Sequence, residues 1–209
     1  MTDFAALEAA AAGLRRLNRA VAGFHATDNE LLDLARTATA LAQRLEGGRP
    51  RSKGDDMTRA FGTRSADDPP PAPEIGGSLE FDPFGAGGGR LHPSSVDIRF
   101  VRDTETSVIA TANVDGMFQG PPDRVHGGIV ALLFDELMGA VNRISGRRAF
   151  TARLIVNIRA AAPVDTGLTW RAWVDGIDGR KITIRAEGRS AQGLFADAEG
   201  LFIAFDPII

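Results

Sequence analysis

The chain has 209 residues, 44% hydrophobic and 24% charged, and a formal net charge of -3, the balance of a soluble globular protein without the basic excess that nucleic-acid binding demands. It has no cysteine and only three histidines (His25, His92 and His126), which excludes disulfides, thiolate catalysis and cysteine metal sites, so no metal is expected. The longest strongly apolar run, Ile129 to Phe134, is far short of a membrane span and the start lacks the pattern of a secretion signal, so the expected setting is cytoplasmic, with no membrane span.

From the N-terminus, Phe4, Leu7, Ala11, Leu14, Leu17, Val21 and Phe24 recur at steps of three and four, which predicts an amphipathic helix. Thr27-Asp28-Asn29-Glu30 has the form of a capping box, and Leu31, Leu34, Ala38, Leu41 and Leu45 then make a second stripe that Gly47-Gly48 ends. Residues 1–46 therefore read as a helical hairpin that packs on the main domain or on a partner chain. Residues 47–90 shift to Gly, Pro and charge, including Pro69-Pro70-Pro71, and read as a linker or irregular segment. Within it, Gly85-Ala86-Gly87-Gly88-Gly89-Arg90 imitates a dinucleotide loop, but the G-x-G-x-x-G pattern fails at Arg90 and no strand is predicted before it, so it reads as plain loop.

Residues 91–209 alternate as strands do. Val96, Ile98 and Phe100 share one face of a first strand, and Val108, Ala110, Ala112 and Val114 one face of a second. A long helix follows at about Gly127 to Ile144, then strands at Phe150 to Ala160, Leu168 to Ile177, Lys181 to Arg189 and Leu194 to Phe205. Asp178-Gly179 and Gln192-Gly193 stand where hairpin turns belong. The pattern predicts an α+β fold, an antiparallel sheet with a helix on one face.

The long helix is apolar nearly all round, which predicts burial, yet it carries Asp135 and Glu136. Their directions differ by about 100°, so both cannot reach solvent from a helix wrapped by a sheet. At least one must face a partner or a cleft, because an unpaired buried carboxylate costs several kcal/mol; an arginine of the sheet or of a partner subunit is the plain solution. At the helix start, His126-Gly127-Gly128 places two glycines where backbone N–H groups are unpaired and the helix dipole is positive, a setting suited to an oxyanion.

Phe118-Gln119-Gly120-Pro121-Pro122, Val125-His126-Gly127-Gly128, Asp135 eight positions after Gly127, and Thr151 opening the next strand together resemble the hotdog-fold acyl-CoA thioesterases of the phenylacetyl-CoA thioesterase type. The resemblance covers residues 105 to 205 or so. It implies a curved antiparallel sheet wrapped around the long central helix, assembly as a homodimer or dimer of dimers, and acyl-CoA substrates hydrolysed with no cofactor other than the coenzyme A of the substrate. Carried over by position, the Gly127 N–H would bind the thioester carbonyl and Asp135 would be the catalytic carboxylate. His126 would shape the helix start, Gly128 would contact substrate, and Thr151 would hold the attacking water or Asp135. Gly120 stands where many members have an asparagine that positions water. The Gly179-Arg180-Lys181 turn is a candidate contact for the phosphates of coenzyme A, through Arg180 and Lys181.

Eight helical residues separate Gly127 from Asp135 by about 12 Å, too far for both to touch one carbonyl, so a site using both needs two chains. No G-x-S-x-G elbow is present, which counts against a serine hydrolase. A hotdog dehydratase would carry its acid further down the helix, where the sequence has Ala140. A non-catalytic acyl-CoA-binding or scaffold protein is the alternative from another class.

Overall fold

The computed structural model describes residues 4–61, 71–80 and 82–205. Its elements run α1 (Ala5–Gly23), α2 (Asp28–Glu46), α3 (Lys53–Phe61), β1 (Ser78–Leu79), β2 (Ile98–Arg102), β3 (Ser107–Asn113), a 3-10 turn (Gly116–Phe118), α4 (Gly127–Ile144), β4 (Ala149–Ile158), β5 (Gly167–Asp178), β6 (Lys181–Ser190) and β7 (Gly193–Ala204). The seven strands form one antiparallel sheet in the order β1-β2-β3-β5-β6-β7-β4. The two predicted hairpins join β5 to β6 and β6 to β7, with Gly179 and Gly193 supplying the positive φ their turns require. Strand β4 crosses to the far edge, beyond β7.

The sheet wraps α4, which lies against β2, β3, β4, β5, β6 and β7. Register shifts at Thr151/Arg153, Val174/Gly176 and Gly188/Arg189 mark bulges, the device by which strands bend and twist more strongly. Leu133, Phe134, Leu137 and Met138 are fully buried, each stabilising the fold by roughly 1.5–3 kcal/mol. They meet the inward side chains of the sheet, among them Trp170, Ile182, Ile184, Phe195 and Phe202. Trp170 and Phe195 pack edge to face with centroids 5.7 Å apart, and Gly188 is what lets them close: a Cβ there would lie 2.5 Å from Phe195 and 3.0 Å from the Trp170 indole nitrogen.

Three expectations change. The helix α4 is not covered all round: Leu132, Asp135 and Gly139 are only half-buried and Gly128 is exposed, a stripe within about 60° of arc. The N-terminal helices form with the predicted bounds, and the capping box at Thr27 and Glu30 is present, but they do not make one packed hairpin. Helix α1 docks through Ala11, with Arg15 donating to the carbonyls of Arg90 and His92 and Asn18 to that of Pro93, while α2 buries no residue. The segment 47–90 is also not irregular throughout. It contains α3 and β1, and a two-residue strand therefore does precede the glycine-rich loop.

Gly188→Ala should lower stability by about 1–3 kcal/mol through overpacking, read as a shift in urea midpoint. Gly167→Ala, with nothing within 4 Å of the added carbon, should leave the midpoint almost unchanged.

Candidate active site

The N-terminus of α4 is set by His126, whose Nδ1 accepts the Gly128 N–H at 2.9 Å as the helix N-cap. With Nδ1 accepting, the neutral imidazole carries its proton on Nε2. Gly128 therefore has its amide already engaged, whereas the Gly127 N–H has no acceptor among the described residues. Of the two glycines, Gly127 is the one free to meet an anionic oxygen. Gly120 closes on the same corner: a Cβ at that position would lie 3.2 Å from His126, so a larger residue there would press on the histidine.

Two turns along α4, Asp135 sits on the half-covered stripe facing β4. The Thr151 hydroxyl donates to its Oδ1 at 2.8 Å, leaving Oδ2 without a partner among the described residues. The edge position of β4 leaves Thr151 exposed, so this carboxylate–hydroxyl pair opens to the outside of the single chain. The other end of β4 reaches the helix start, where Ile158 packs 3.2 Å from the position of a Gly127 Cβ.

Glu136 points elsewhere. It lies under the Gly85–Gly89 loop and accepts the Gly87 N–H at 3.1 Å; a Cβ at Gly87 would lie 2.2 Å from its Cγ. Burial pushes its carboxyl above the ordinary carboxylate range, the Gly87 hydrogen bond and Lys53 oppose this, and the neighbouring Asp82 and Asp135 reinforce it. Neither carboxylate pairs with an arginine of its own chain among the described residues, so the sheet supplies the plain arginine solution for neither. The glycine-rich loop is the functional element that pattern reasoning missed. Its close-spaced glycines were visible, but what they approach lies 49 positions away in the chain.

Arg180 and Lys181 form the β5–β6 turn, with Arg180 Nε donating to the Ala204 carbonyl at 2.8 Å. In register, Lys181 stands beside Ile203, and Ile203 beside Phe150. The turn is thus two strand spacings, about 10 Å, from the start of β4 and Thr151. Among the described residues no group of three or more His, Asp or Glu side chains converges as a metal site, and no helix is long and apolar enough to cross a membrane.

No protein-family model matches the chain. It is 32% identical over 91 residues to the acyl-coenzyme A thioesterase THEM4 of Bos taurus, a match covering 43% of this chain and 37% of that protein. The similarity thus spans well under half the length of that curated relative. The crystal structure of a thioesterase superfamily protein superposes with a TM-score of 0.75 at 25% identity, covering 97% of this chain and 92% of that one. The chain has the fold of the hotdog-type thioesterases, and its likenesses in sequence and in structure are to proteins of that kind. A hypothetical thioesterase from Streptococcus pneumoniae TIGR4, crystallised with coenzyme A, shares the hotdog fold over 53% of this chain and 88% of its own, with a TM-score of 0.51 at 17% identity. In the superfamily member with a TM-score of 0.75 the likeness extends over nearly the whole of this chain, N-terminal helices included.

Because the folded Glu136 carboxyl keeps its proton to a higher pH than the unfolded one, it contributes stability at low pH that is lost as pH rises through the folded value. Glu136→Gln keeps an acceptor for Gly87 and removes that titration. Its thermal midpoint should therefore fall less than that of the unaltered protein as pH rises from below the ordinary glutamate value of about 4.3 to neutrality; an identical fall would show that burial does not raise the Glu136 carboxyl.

Proposed function

We propose that the protein is an acyl-CoA thioesterase, hydrolysing a coenzyme A thioester to the free acid and coenzyme A. The observation that carries this reading is the combination of an unpaired Gly127 N–H at the start of α4 with an Asp135 carboxylate held by Thr151 on the open side of the same helix. Coenzyme A in the Streptococcus pneumoniae relative and the thioesterase name of the bovine one support the substrate class.

The two groups serve one site only if two chains meet. Strand β4 offers an open sheet edge with Phe150, Ile155 and Ile158 exposed, and an edge of that kind pairs readily with a second copy. Edge pairing about a two-fold axis sets the α4 helices antiparallel and brings Gly127 of one chain toward Asp135 of the other, giving two equal sites. In each, the Gly127 amide and the positive helix end stabilise negative charge developing on the thioester oxygen. Asp135 supplies the push. It either takes the proton of a water whose oxygen attacks the carbonyl carbon, or attacks directly through Oδ2 to form an anhydride that water then opens. In both routes the C–S bond breaks and the thiolate leaves as coenzyme A, while Thr151 fixes the carboxylate's orientation. Arg180 and Lys181, in the β5–β6 turn, are the cations we assign to the coenzyme's phosphates.

Turnover of acyl-CoAs of graded chain length and aromaticity tests the activity directly; binding without turnover would instead indicate a non-catalytic acyl-CoA protein. Asp135→Asn should lower kcat by about a hundredfold or more while the fold is retained, and wild-type turnover by this variant would remove Asp135 from the mechanism. A single turnover in ¹⁸O-water bears on the choice: a first molecule of acid free of solvent oxygen, with the label carried by Asp135 instead, requires an anhydride that water opens at the Asp135 carbonyl carbon.

Mixing Asp135→Asn with Gly127→Pro tests the sharing. Proline removes the N–H yet is accepted in a first helical turn. Random re-pairing of equal amounts should return about a quarter of the wild-type sites, each mixed dimer having one intact site. No recovery despite verified subunit exchange would place the whole site within one chain.

A further inference from the structure

The last turn of α4 carries a polar group that the core does not serve. Asn142 is 3% exposed, and neither the nitrogen nor the oxygen of its side-chain amide has a hydrogen-bond partner among the described residues. A buried amide left in that state costs free energy, and an apolar residue of the same shape would avoid the cost. The burial is by its own chain, so the group that meets this amide is small enough to enter the chain and is not a side chain laid on by a partner subunit.

Position on the helix says which group that is. Asn142 follows Asp135 by seven residues, so it stands about 10 Å further along α4 and within about 20° of the same direction. Between them lies Gly139, half-buried and without a side chain. Helical side chains lean toward the N-terminus, so the Asn142 amide leans back toward Gly139 and Asp135. Past Asn142 the way is closed: Gly146 takes a φ of 68°, and the Arg147 N–H donates to the Asn142 backbone carbonyl at 3.0 Å, which folds the chain over the helix end.

In the two-fold arrangement described above, α4 of the partner subunit begins opposite Asp135 and runs back over the N-terminal half of the stripe. The part over Gly139 is left to the substrate. A thioester held at Asp135 has two arms, and the coenzyme arm ends in phosphates that stay hydrated and that we assign to Arg180 and Lys181. The arm that runs over Gly139 ends in the interior, which suits the acyl group.

We propose that Asn142 is a specificity-determining residue that hydrogen-bonds a hydroxyl near the far end of the acyl group, so that the preferred substrates are medium-length hydroxyacyl thioesters of coenzyme A. A hydroxyl donates to the amide oxygen or accepts from its nitrogen, whereas a terminal methyl leaves both unserved. This assignment rests on the thioesterase reading with Asp135 at its centre.

The test compares hexanoyl-, octanoyl- and decanoyl-CoA with their terminally hydroxylated counterparts. At the length that reaches Asn142, the hydroxylated substrate should have a kcat/KM higher by about ten- to a hundredfold. In Asn142→Leu that ratio should fall to about one. Two results would each overturn the proposal: no preference for the hydroxylated substrate at any of these lengths, as when a buried water serves the amide, or a preference that survives in Asn142→Leu. If Asn142→Leu does not fold, the comparison on the unaltered protein decides alone. Absence of turnover with every acyl-CoA would remove the thioesterase reading and this proposal with it, whereas turnover without the preference removes this proposal only.

Discussion

A helix with almost no polar face must be covered on nearly every side, and the architecture follows from supplying that cover to α4. Six strands lie against it, and the bulges in β4, β5 and β6 let the sheet curl far enough to do so. Cover is incomplete along the stripe of Gly128, Leu132, Asp135 and Gly139, which carries the carboxylate that Thr151 of β4 holds. The same constraint that makes the core therefore confines chemistry to a single seam. A carboxylate is tolerable on this helix only at that seam or beneath a dedicated lid, and the chain uses both solutions, on consecutive residues.

The contrast between Asp135 and Glu136 shows how a rotation of about 100° separates two environments. Asp135 keeps one oxygen bound to Thr151 and the other open. Glu136, rotated away by about 100°, meets a loop whose glycines let backbone approach where any side chain would collide. Its hydrogen bond from Gly87 ties the N-terminal half of the chain to the helix on which the candidate site is built, and burial there raises its carboxyl above the ordinary range.

Much of this was legible in the residues. Period-two alternation placed the strands to within a residue or two, because a strand with one buried face has no other way to write its pattern. The bounds of α4 were plain, since a long apolar run between His126-Gly127-Gly128 and Ser145-Gly146 has no competing reading. The juxtaposition of Thr151 with Asp135 came from resemblance, and the hydrogen bond between them now gives it a geometric basis. Other features could not be read. The crossing of β4 to the far edge is a long-range choice that local pattern does not encode, and the glycine-rich loop looked featureless because the residue that explains it is remote. The separation of α2 from α1 was hidden for a related reason: an apolar stripe says that a helix is covered but not by what.

The distance in sequence between the glycine-rich loop and Glu136 bears on how the chain folds as it is made. The loop leaves the ribosome first and has nothing to hold until 49 residues later its acceptor arrives. Contacts of this span pay loop-closure entropy before they return any stabilisation, so they form late relative to local hairpins such as β5–β6 and β6–β7. During that interval α4 has its sheet but not its lid, and the Glu136 carboxylate remains hydrated. Closure of the loop then takes the Glu136 carboxyl out of water, so the contact that spans the greatest stretch of chain around α4 is also the one that shifts this carboxyl toward its protonated form.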